Sequence, residues 1–126
     1  MSAATPSRIA QIAIAVRDVE RAKAFYRDVL GLAWLADAPP GLSFFQCGEV
    51  RLMLSRPEGP ETSGNSILYY AVEDAAAAHE ALAGKGVAFE QPPHVVGRLG
   101  DVDVTLAICR DPDGNLLGLM SERSAD

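Results

Sequence analysis

The order of the residues predicts an α+β domain of two paired βαβββ modules. Three observations carry this. Val16-Arg17-Asp18 and Val72-Glu73-Asp74 occupy the same place in each half. Gly31 and Gly86 fall at the same point of the two halves, one residue out of step. In both halves a strand-like run precedes one stretch of helical spacing, and further strand-like runs follow it. Neither half can bury both faces of a sheet alone, so the two must pair.

In the first half, Arg8 to Val16 (RIAQIAIAV) is β-rich and ends at the charged Arg17-Asp18. Asp18 is a good N-cap. From Val19, apolar residues recur at Ala22, Phe25/Tyr26 and Val29/Leu30, the spacing of one helix face. Gly31 ends that helix as a residue of positive φ. Leu32–Leu35, Ser43–Cys47 and Val50–Ser55 read as strands, separated by Pro39-Pro40-Gly41 and Gly48-Glu49 turns. Module one thus covers 8–56, and the polar, Pro- and Gly-rich 57–65 is a linker.

Module two covers 66–121. Ser66–Val72 reads as a strand and Asp74 as a second N-cap. Ala75–Lys85 is an Ala-rich helix with Ala75, Ala78 and Leu82 on one face, stopped by Gly86. That face is thin, which suits a surface cover. Val87–Phe89, Val95–Arg98, Val102–Cys109 and Leu116–Met120 are the remaining strand candidates. Asp111-Pro112-Asp113-Gly114 reads as a tight turn, Pro setting φ at the second position and Gly taking positive φ at the fourth.

The composition excludes several classes. With 126 residues and 48% hydrophobic content the chain is one ordinary domain and not a disordered one. The formal charge is −6, with 11 basic residues against 17 acidic, which argues against a nucleic-acid partner. No apolar run approaches the ~20 residues of a membrane span, and the first seven residues lack an apolar signal core. Two cysteines are too few for a disulfide framework, so a cytoplasmic location is expected.

Three segments carry a family resemblance: Gln11–Val16 with Asp18–Leu32 (DVERAKAFYRDVLGL), then Val72-Glu73-Asp74, then Arg110–Leu117 (RDPDGNLL). The chain resembles the vicinal oxygen chelate superfamily, which includes glyoxalase I, bleomycin-resistance proteins and extradiol dioxygenases. The resemblance implies a cup-shaped, half-open β-barrel with the helices outside. It also implies a small-molecule cavity inside the cup and a homodimer.

Catalytic members of the family hold a divalent metal, with one ligand from the first and one from the last strand of each module, usually His, Glu or Gln. The equivalent positions here are Gln11, Met53, Ile67 and Gly118. One amide oxygen among four positions cannot hold a catalytic ion, which needs about three protein ligands. No metal and no other cofactor is therefore expected; Gln11 would be a ligand only in a non-standard site.

Strand alternation proposes the cup lining. If Gln11 faces in, so do Ala13, Ala15, Arg51, Met53, Ser55, Ile67, Tyr69, Ala71, Leu116, Gly118 and Met120. The small residues among them suggest a void. Candidate ligand-binding residues are Gln11, Arg51, Met53, Ile67, Tyr69, His94 and Gly118; Tyr69 and His94 are also the candidate acids or bases. Arg98 and Arg110 are candidates for holding an anionic group. Trp34, Phe44 and Phe45 are candidates for stacking on a flat ligand, Phe44 and Phe45 pointing to opposite faces. Cys47 and Cys109 read as structural thiols, and His79 as a surface residue.

The expected function is metal-independent binding of a small, partly hydrophobic molecule, as in the bleomycin-resistance branch. The acidic net charge favours a cationic ligand. The alternative is a metal-dependent lyase, isomerase or dioxygenase recruiting Gln11, His94 and Glu49, Asp101 or Asp103. A metal-free enzyme using His94 or Tyr69 is a third reading.

Overall fold

The computed structural model describes residue 6, residues 8–56 and residues 66–124. The segment 57–65, expected as a linker, lies outside the described residues. The chain divides into two compact units. The first holds β1 (Gln11–Ala15), α1 (Val19–Ala24), β2 (Ala33–Ala38), β3 (Leu42–Cys47) and β4 (Val50–Ser55). The second holds β5 (Leu68–Ala71), α2 (Ala75–Gly84), β6 (Phe89–Leu99), β7 (Val102–Arg110) and β8 (Leu116–Ser124). Each is a βαβββ module, as the internal repeat predicts. No described helix is long and apolar enough to cross a membrane.

The two units share one topology. In the first the strand order is β1-β4-β3-β2, and in the second β5-β8-β7-β6. β1 runs parallel to β4 and β5 parallel to β8, while every other pairing is antiparallel. A parallel pair needs a long crossover, here the helix and two intervening strands. Each helix covers one face of its own sheet. In the first unit that face buries Ile14, Val16, Phe45, Leu52 and Leu54 against Ala22, Phe25 and Tyr26. The Tyr26 ring centroid lies 6.2 Å from that of Phe45. In the second unit Ala107, Cys109, Leu117 and Leu119 are buried with Ala75 and Leu82.

The repeated charged motif works as a cap in both units. Asp18 accepts from the Arg21 N–H at 3.1 Å. Asp74 accepts from the Ala76 and Ala77 N–H groups at 2.9 and 3.3 Å. Each satisfies donors that a helix start leaves without partners. Gly31 and Gly86 have φ of 85° and 93°, the left-handed conformation expected of them.

Three elements and one side chain differ from their expected form. The first helix does not run regularly to Leu30. It is α-helical to Ala24 and then widens to a π-turn over Phe25–Val29, with the Leu30 N–H donating to the Phe25 carbonyl at 2.8 Å. Hydrophobic spacing does not separate a fourth-residue bond from a fifth-residue one. Second, β6 runs without a break through Pro92-Pro93, where two strands and a loop were expected. It is an edge strand, and the ladder shifts register between Gln91 and His94. A missing proline N–H is tolerated there. Third, β5 is shorter than expected and begins after Ile67. Fourth, His79 is half-buried, not a surface residue, and packs edge-on against Phe89 with centroids 4.4 Å apart.

The DPDGN segment is structural. Buried Asp111 accepts from the Asp113 N–H, the Asn115 N–H and Asn115 Nδ2, each at 2.9 Å. Gly114 closes the turn at φ 87°, its N–H donating to the Asp111 carbonyl. Removing the Asp111 carboxyl leaves these buried donors unpaired. Asp111→Ala is expected to destabilise the fold by about 2–4 kcal/mol, against about 1 kcal/mol for the exposed cap variant Asp18→Ala. Urea unfolding of the two variants checks this.

Candidate functional site

The face of each sheet turned away from its helix carries most of the residues that strand alternation nominates. In the first unit Gln11 pairs with Arg51 and Ala13 with Met53 across the β1–β4 ladder. Phe44 and Gln46 pair with Met53 and Arg51 from β3. Because directly opposed residues share a face, Gln11, Arg51, Met53 and Phe44 form one cluster. Gln11 and Arg51 are exposed, and Met53 and Phe44 half-buried.

The cluster is tied together by specific contacts. Arg51 Nε donates to Gln11 Oε1 at 2.6 Å. Gln11 Nε2 lies 3.8 Å from Met53 Sδ, a weak contact that sets the amide's orientation. The Arg51 guanidinium stands 5.8 Å from the Phe44 ring centroid. Sequence reasoning nominated Gln11, Arg51 and Met53 separately and missed this bond, although the parallel register that forms it follows from pairing the first and last strands.

In the second unit Tyr69 pairs with Gly118, and Ile108 stands on the other side of Gly118. A Cβ built on Gly118 would lie 2.4 Å from Tyr69 Cδ1 and 3.4 Å from Ile108 Cδ1. The small residue at 118 therefore does not leave a void; the Tyr69 ring lies directly across it. This is the device by which an aromatic side chain covers a strand glycine. Tyr69 remains 47% exposed, so it presents ring area outward while its inner edge rests on the sheet. Ile67 is half-buried just before β5. His94 stands opposite Leu106 in the β6–β7 ladder and is exposed. Its Nδ1 lies 2.8 Å from the Pro92 carbonyl, so Nδ1 carries the proton in the neutral ring. No carboxyl group contacts His94 among the described residues.

Other candidates have structural roles. Trp34 lies on the helix side of its sheet. Its Nε1 donates to Asp37 Oδ1 and Ser43 Oγ, both at 3.2 Å, and Lys23 Nζ stands 4.6 Å from its ring centroid. Lys23 also pairs with Asp37 at 2.7 Å. The Lys23 hydrogen bond, followed by that from Ser43, holds the Asp37 carboxyl below the usual carboxylate range. Phe45 is fully buried, while Phe44 faces the other way, as alternation requires. Arg110 is bonded to Glu90 and the Gly114 carbonyl, and Arg98 to Asp103. Among the described residues no three His, Cys, Asp or Glu side chains converge on one point. A groove of about 1050 Å³ in the first unit is lined by residues such as Arg17, Glu20, Asp37, Pro39, Leu42 and Arg56, none of them nominated from sequence.

The family model for the Glyoxalase/Bleomycin resistance protein/Dioxygenase superfamily matches residues 8–119. The chain belongs to this superfamily. One similar solved structure is TnmS3, an antibiotic binding protein from Streptomyces sp. CB03234. It is 27% identical with a TM-score of 0.76, covering 94% of this chain and 98% of that one. Another is a lactoylglutathione lyase from Agrobacterium tumefaciens, 25% identical with a TM-score of 0.72, covering 93% and 95%. A superfamily member from Sphaerobacter thermophilus DSM 20745 gives a TM-score of 0.79 at 22% identity, covering 92% and 98%. No curated protein sequence matches the chain. A binding protein and a lyase thus share this superfamily's fold, and only the site separates the two.

Two measurements follow. Gly118→Ala drives a methyl into the Tyr69 ring and is expected to destabilise by about 1–3 kcal/mol. Adding Tyr69→Ala relieves that clash, so a double-mutant cycle by urea unfolding should show strong coupling. The second concerns Cys109, whose thiol is pushed up to about 11 by burial and secondarily by the nearby Asp111 charge. The folded state keeps this proton where an unfolded thiol, near 9.0, releases it. Stability from this group is present below pH 9 and falls as pH rises from about 9 towards 11. Cys109→Ala should flatten that part of the stability profile, and native Cys109 should resist alkylation at neutral pH.

Proposed function

We propose that this protein binds a small, partly aromatic molecule on the helix-free faces of its sheets, without a metal ion. The carrying observation is the chemistry at the four positions where the family's catalytic members hold metal. Gln11, Met53, Ile67 and Gly118 supply one oxygen donor, and that oxygen accepts from the Arg51 guanidinium. A cation at Gln11 would meet a fixed positive charge and a thioether, and in the second unit Ile67 and Gly118 offer an alkyl group and a bare backbone. These residues do not fit a divalent ion, which wants about three hard or borderline donors.

What remains on the faces suits binding. In the first unit Phe44 and Met53 give apolar and aromatic area, with Gln11 and Arg51 as polar handles; in the second, Ile108 and the Tyr69 ring give such area, with the Tyr69 hydroxyl as a handle. Small-molecule sites are composed in this proportion. The antibiotic-binding relative, at 27% identity over 94% of the chain, supports the same reading. Metal-free catalysis by His94 draws less support, because no carboxyl partner orients the ring among the described residues.

Elemental analysis separates binding from metal-dependent chemistry. Protein incubated with Mn, Fe, Ni and Zn and then dialysed is expected to retain less than about a tenth of an equivalent of each. Near one equivalent of any of them would favour the lyase, isomerase or dioxygenase reading. A thermal-shift screen of aromatic compounds should find ligands that raise the melting temperature with concentration, since a ligand at a hundred times its Kd stabilises by about 2.7 kcal/mol.

A further inference from the structure

We infer that the ligand of the first unit's open face is an anion, an aromatic or partly apolar carboxylate, phenolate or sulfonate whose charged group docks on Arg51. The inference rests on the binding role proposed above and specifies its ligand class. It also runs against the cationic ligand that the net charge alone would favour.

The cationic side chains of this protein differ in what they face. Lys23, Arg27, Arg98 and Arg110 each lie within 3.4 Å of a carboxyl oxygen, on Asp37, Asp28, Asp103 and Glu90. Arg51 has no carboxyl partner among the described residues. Among the described residues its side chain makes one hydrogen bond, from Nε to Gln11 Oε1. A guanidinium carries five N–H donors in a planar fork, so the four on the terminal nitrogens have no acceptor among the described residues. That outer edge is the one that takes a carboxylate or sulfonate with two parallel bonds.

The fork is also held in place. The neutral Gln11 amide fixes Nε without cancelling the charge, and its own nitrogen rests at Met53 Sδ. The Phe44 ring supports the guanidinium, with its centroid 5.8 Å away. An arginine oriented by an uncharged partner keeps its full attraction for an incoming anion. Ala13, Met53 and Phe44, on the same face, would lie against the apolar body of such a molecule. The net charge of −6 does not decide the ligand, because distant surface charges are screened beyond about 8–10 Å while the guanidinium acts at contact.

A matched dye pair tests this. 8-Anilinonaphthalene-1-sulfonate and N-phenyl-1-naphthylamine share the aromatic body, and only the first carries a charge. By fluorescence titration the wild-type protein should bind both, the sulfonate about tenfold more tightly. Arg51→Met should remove that preference by weakening the sulfonate alone, and Arg51→Lys should restore part of it. Circular dichroism and melting curves show whether the variants are folded. In the wild-type protein, which needs no variant, benzoate should displace the sulfonate dye and benzamide should not. If both dyes bind but Arg51→Met leaves the sulfonate affinity unchanged, or benzamide competes as well as benzoate, the anion inference fails and the binding role stands. If neither dye binds below millimolar concentration, the binding role itself fails.

Discussion

In each unit the first strand lies at the sheet edge beside the last and runs parallel to it, the two joined through the helix and two further strands. Thus β1 lies against β4, and β5 against β8. The parallel register sets which residues of sequence-distant strands stand opposite each other. Through it Gln11 meets Arg51 across forty residues, and Tyr69 meets Gly118. The middle strands then have one place left, as an antiparallel pair outside the last strand. The helix has one sheet face to cover, and the other carries no helix of its own unit.

The two faces are treated differently by the sequence. On the helix side the first unit joins a packed core, Phe45 and Tyr26 among others, to a polar cluster at its margin. There Ser43, Trp34 and Lys23 all converge on Asp37. Ser43 is fully buried, and its hydroxyl donates to Asp37 at 2.8 Å, so no polar group there lacks a partner. On the other side Gln11 and Arg51 are exposed and bonded to each other. Among the described residues the Arg51 side chain makes one hydrogen bond, and Tyr69 is half covered.

Much of this was legible without coordinates. The Asp18 and Asp74 caps, the Gly31 and Gly86 stops and the DPDGN turn are local devices whose chemistry involves residues a few positions apart. The in–out alternation of β1 and β4 was legible because period two is a property of the strand itself. Less legible were the π-turn over Phe25–Val29 and the unbroken path of β6 through two prolines. The first depends on how Phe25 and Tyr26 pack into the core, and the second on β6 being an edge strand. Trp34 was placed among ligand-stacking candidates because an aromatic in a strand carries no sign of which face it takes; the bulge between Trp34 and Ala36 and the Lys23 contact put it on the helix side.

The sequence by itself determined the repeat, the order of elements, the family, and the residue types at positions 11, 53, 67 and 118, since each of these is a matter of residue type and spacing along the chain. Only the tertiary structure decided what those positions do. Whether Gln11 is a free amide or the anchor of a guanidinium, and whether Gly118 opens a void or seats a tyrosine ring, depends on side chains brought together by strand register from forty to fifty residues away. Contact between distant side chains is fixed by packing in three dimensions, and no local pattern encodes it.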